Sequence, residues 1–114
     1  MIKNNTKNTV IAKKYVYCRT VLSKFRGLMF RKKTDKALIF IFSQEKIISI
    51  HMLFVFFPID VLWLDKNKKV VQIKEHFNPF TLCKAKKAAK YLIELPVNTI
   101  KSSRTEIADT INFK

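Results

Sequence analysis

Glycine is almost missing from this chain: one residue, Gly27, in 114. Turns that require positive φ must therefore be made by residues with a Cβ, at a steric cost of about 1–2 kcal/mol each. Cysteine is also scarce. Cys18 and Cys83 lie far apart, with no CxxC and no adjacent histidine, so neither a disulfide scaffold nor a paired-ligand metal centre is expected. They read as reduced, partly packed thiols. The opening residues, MIKNNTKNTVIAKKYVY, lack the apolar stretch of a secretory signal, and a cytoplasmic location is expected. Acids are few, 8 against 23 basic residues.

The resulting net charge of +15 points towards an anionic partner. However, only Arg19, Arg26, Arg31 and Arg104 are arginine, the residue favoured for bidentate recognition of phosphates and bases. The richness in Lys, Asn, Ile and Phe with little Gly is also what A/T-rich coding would give. The lysine clusters, among them Lys32 with Lys33 and Lys86 with Lys87, are candidate anion contacts. A nucleic-acid or other polyanion partner is thus open as an alternative and is not the favoured reading, since aromatic residues interleave with these clusters only loosely and no nucleic-acid-binding signature accompanies them.

Hydrophobic residues make up 48% of the chain and ten residues are Phe, enough to build a core at this length. The reading expects a polar, frayed tail over residues 1–8 and a single domain over residues 9–114. Thr9–Cys18 is β-branched and aromatic, a strand with a break at Lys13-Lys14. Val21, Leu22, Phe25, Leu28 and Met29 recur at helical spacing after Thr20, a helix that ends near Lys33. Ala37–Phe42 is an unbroken apolar run, a strand buried on both faces, and SQEK after it reads as a turn.

Ile47–Leu64 is long enough to span a membrane, yet it holds His51, Pro58 and Asp60. An aspartate near the centre of a spanning helix costs about 3 kcal/mol, and strands on either side of Pro58 explain the segment better. Ile59–Leu64 is one strand, Asp65–Lys69 a hairpin turn, and Val70–Ile73 the return. With no glycine in that turn, Asn67 or Lys68 must take positive φ. A long loop around Asn78-Pro79 follows, then a strand over Tyr91–Leu95, a short helix within Val97–Arg104, and a final strand of alternating Ile107, Asp109, Ile111 and Phe113. The expected class is α+β: a small, mainly β domain with a curved or barrel-like sheet of five or more strands and two short helices.

These segments form an ordered pattern: FRGLMFR, an apolar strand, HMLFVFFPIDVLWLDKNKKVV, AKYLIELP and EIADTINF. It resembles the uncharacterised domain-of-unknown-function family 192 of small archaeal and bacterial proteins. The family pattern is R-x-x-GLM-x-R, an aromatic or His before Met, P-[LI]-D with a strand, D-x-x-G, A-x-Y-x-L-E-L-P and G-D. Three family glycines are replaced here: Lys68 in the hairpin, Asn98 after ELP, and Ala108 before Asp109. The resemblance implies a small β-rich domain and no established activity.

Candidate chemistry centres on acids within apolar strands. Alternation puts Asp60 on one face with Leu62 and Leu64, and Ile59, Val61 and Trp63 on the other. A carboxylate in such surroundings needs hydrogen-bond donors. Backbone amides, Arg31 or His51 would supply them structurally; alternatively Asp60 is the floor of a small polar pocket. That pocket would gather Arg31, His51, Asp60, Asp109 and Glu94. Two facing carboxylates would instead suit acid–base catalysis, but sequence spacing does not bring them together. A Cys83–His76 nucleophilic pair lacks a third, orienting group. The reading is a non-catalytic binding module without metal or cofactor, leaning against an enzyme.

Overall fold

The structure, a computed structural model, describes residues 1–19, 36–48, 50–51, 57–79 and 81–113. Its elements are β1 (Ile2–Asn4), β2 (Thr9–Ala12), β3 (Tyr15–Arg19), β4 (Ala37–Ile47), β5 (Ile50–His51), β6 (Ile59–Leu64), β7 (Val70–Phe77), β8 (Leu82–Cys83), β9 (Ala88–Pro96), α1 (Thr99–Ser103) and β10 (Ile111–Asn112). The expected first helix, over Thr20–Lys33, lies outside the described residues, so α1 is the single helix among them.

A five-stranded sheet in the order β3-β4-β9-β6-β7 forms the centre. β3 runs parallel to β4 and the other neighbours are antiparallel. Its end strands β3 and β7 do not pair with each other, so the described sheet is open and does not close into a barrel, against the barrel-like alternative expected from sequence. β6 is an interior strand, paired on both sides and wholly buried, which is why IDVLWL carries no exposed polar position.

The two faces of this sheet pack into separate apolar layers. Leu38, Phe40, Phe42, Val61, Trp63, Phe77 and Leu92 point to one, where Ile48, Phe57 and Cys83 cover them. Ile39, Leu62, Leu64, Ile93 and Leu95 point to the other, covered by Ile2, Ile11, Ile100, Ile111 and Phe113. The second cover is a three-stranded sheet, β10-β1-β2, together with α1.

Several sequence expectations change here. Residues 1–8 are not a frayed tail: Ile2 and Asn4 are fully buried in β1, which pairs with β2 and β10. The Lys13-Lys14 break separates two strands belonging to different sheets. SQEK is no turn; β4 runs through it to Ile47, with a register irregularity between Ile41 and Lys46 and exposed side chains throughout. β7 extends to Phe77 where a loop was expected, and β10 is shorter than the alternation suggested.

Every replaced glycine takes left-handed backbone: Lys68 at φ 62°, Asn98 at 74° and Ala108 at 78°. At the hairpin, Asp65 Oδ1 accepts the amides of Asn67 (2.8 Å) and Lys69 (3.0 Å). Lys68 Nζ then donates to the Phe113 carbonyl at 2.9 Å and sits 4.1 Å above the Phe113 ring, so the residue standing in for glycine also ties down the last strand.

Candidate functional site

Asp60 is completely buried on β6, on the face that carries α1. Its partner strand β7 is irregular opposite it: Ile59 pairs with Phe77 and Val61 with Lys74, and the extra β7 residue is accommodated by His76 at φ 51°. That bulge frees the His76 amide, which donates to Asp60 Oδ1 at 2.9 Å. The other oxygen, Oδ2, accepts the Ile100 amide at 2.9 Å. Ile100 is in the first turn of α1, whose own N-cap residue, Asn98, makes no side-chain cap bond. Asp60 therefore caps the helix from a strand 40 residues away and closes a β-bulge with the same group. These are the backbone donors anticipated for a structural carboxylate.

Asp109, also buried, has a separate set of partners. It accepts from Asn4 Nδ2 (2.8 Å), from Lys7 Nζ (2.8 and 3.0 Å) and from the Glu106 amide (2.9 Å). Burial alone would push its carboxyl up; the bonds from Asn4, Lys7 and the Glu106 amide outweigh that and hold it below the ordinary carboxylate range. The hydrogen bonds to Asp109 and Glu106 raise Lys7 in turn. Asn4 Nδ2 also donates to Thr105 Oγ1 (3.1 Å), which contacts Ser103 Oγ at 2.7 Å, while Asn4 Oδ1 accepts the Lys7 amide at 2.9 Å. Sequence reasoning missed Asn4 because it sits in a segment read as tail. The alternation of Ile2 and Asn4 about Lys3 was the available signal, too short to stand out.

Glu94 is buried on β9 opposite Leu38 and Val61. Strand alternation places it on the opposite face of the sheet from Asp60, whose cross-strand partner is Leu95. The sheet itself separates these two carboxylates, so they do not form a facing acid–base pair. Arg31, Lys32 and Lys33 lie outside the described residues; His51 is located by backbone alone, opposite Leu82.

The presumed loop residues resolve into strands. His76 is exposed on β7 and Cys83 half-buried on β8. Burial pushes the Cys83 thiol up, against the opposing pull of Lys74, a Gln72 hydrogen bond and Lys86, which disfavours the nucleophilic thiolate. Among the described residues no cluster of three or more His, Cys, Asp or Glu is arranged to hold a metal ion, and no helix is long and apolar enough to cross a membrane.

Comparison with known proteins gives a consistent result. The model of the family described as uncharacterised ACR, domain-of-unknown-function family 192, matches residues 2–113. A UPF0127 protein of Thermococcus kodakarensis is 40% identical over 115 residues, covering 99% of this chain and 73% of that protein. A UPF0127 protein of Pyrococcus furiosus is 34% identical over 112 residues, covering 96% and 95%. Among solved structures, a protein of unknown function from Novosphingobium aromaticivorans has a TM-score of 0.74 at 19% identity, covering 87% of this chain and 74% of that one. A candidate transcription regulator from Sinorhizobium meliloti has a TM-score of 0.68 at 21% identity, covering 75% and 69%. At these identities the structural likeness speaks for the fold alone.

Proposed function

The chain belongs to domain-of-unknown-function family 192, and on that premise we propose that it is a non-catalytic binding module whose buried acids are scaffold. The observation that carries this reading is the use of Asp60: both of its oxygens are taken up by backbone amides, one from a bulge and one from a helix start. Each oxygen is tied to the backbone of a different element. Asp109 is bound up in the same way by Asn4, Lys7 and the Glu106 amide. Asp60 and Asp109 hold α1 and the N-terminal strands in place, and recognition falls to the exposed surface.

Thermal unfolding of the wild type and Asp60→Asn tests this. Asparagine keeps one acceptor but turns an NH2 towards a backbone N–H, leaving a buried donor without an acceptor. The expected loss is about 2–3 kcal/mol, several degrees of melting temperature per kcal/mol in a domain of this size. A variant as stable as the wild type, or more stable, would mean that the carboxylate is retained at a stability cost; the reading would then fail, and Asp60 would be a working group.

A further inference from the structure

We draw no further inference here: the strongest candidate, the half-buried Cys83 thiol on β8 with Gln72 bonded to it and Lys74 and Lys86 acting on its charge, is a lone cysteine with no second observation that points to a ligand.

Discussion

At the scale of single residues, three left-handed backbones are the most direct link between sequence and shape. Lys68 was legible: a tight turn without glycine forces positive φ on one of two residues, and Lys68 takes it at 62°. Ala108 is the least compensated. It has neither the amide side chain that eases such a backbone in Asn98 nor the second role that Lys68 has over Phe113. Ala108→Gly is therefore expected to stabilise the protein by about 1 kcal/mol, raising the melting temperature by roughly 4 °C in thermal denaturation. Asn4 was not legible, since its partners Thr105 and Asp109 are more than 100 residues away. Asn4→Ala is expected to cost about 2 kcal/mol, read as a lower denaturation midpoint in urea with an unchanged slope.

The individual elements separate by how local their causes are. β6 and α1 are found where the sequence places them, because an apolar run bounded by Pro58 and Asp65, and a short segment after Pro96, carry their own boundaries. The face assignment of Asp60 with Leu62 and Leu64 also holds, as strand alternation is a local property. The β4 extension through Ser43–Lys46 was hidden, since polar residues there continue a strand only because β9 lies beside it. The path of the chain between β8 and β9 has the same kind of origin in Gln72, a side chain from another strand that bonds to Lys84 and Lys86. Gln72→Leu removes the bonds to Lys84 and Lys86 while keeping bulk. Hydrogen exchange at the Lys86 amide is expected to accelerate about 10-fold, with the β6 amides unaffected; equal protection in the variant would show that the segment between β8 and β9 is held by other contacts.

Over the molecule as a whole, the N-terminal strand is the largest departure from expectation. Composition made residues 1–8 look expendable, whereas Ile2 and Asn4 close the layer over β6 and β9. The pH response follows from the acid that anchors this strand. The folded value of Asp109 lies below the ordinary carboxylate value near 3.9. Its contribution to stability is therefore complete above about pH 4 and is lost as the pH falls through the lower folded value. Asp109→Asn should melt lower than the wild type at pH 6, and the two curves should converge towards pH 2. Parallel curves over that range would show that another group sets the acid response. The pairing of β1 with β10 also carries a consequence in time. Asn4 is made 105 residues ahead of its partner Asp109. At synthesis rates of about 5–20 residues per second, β1 waits roughly 5–20 s for the partners that bury it. Through that interval the strand stands without its neighbour, and closure of the layer waits on the arrival of residues 109–112.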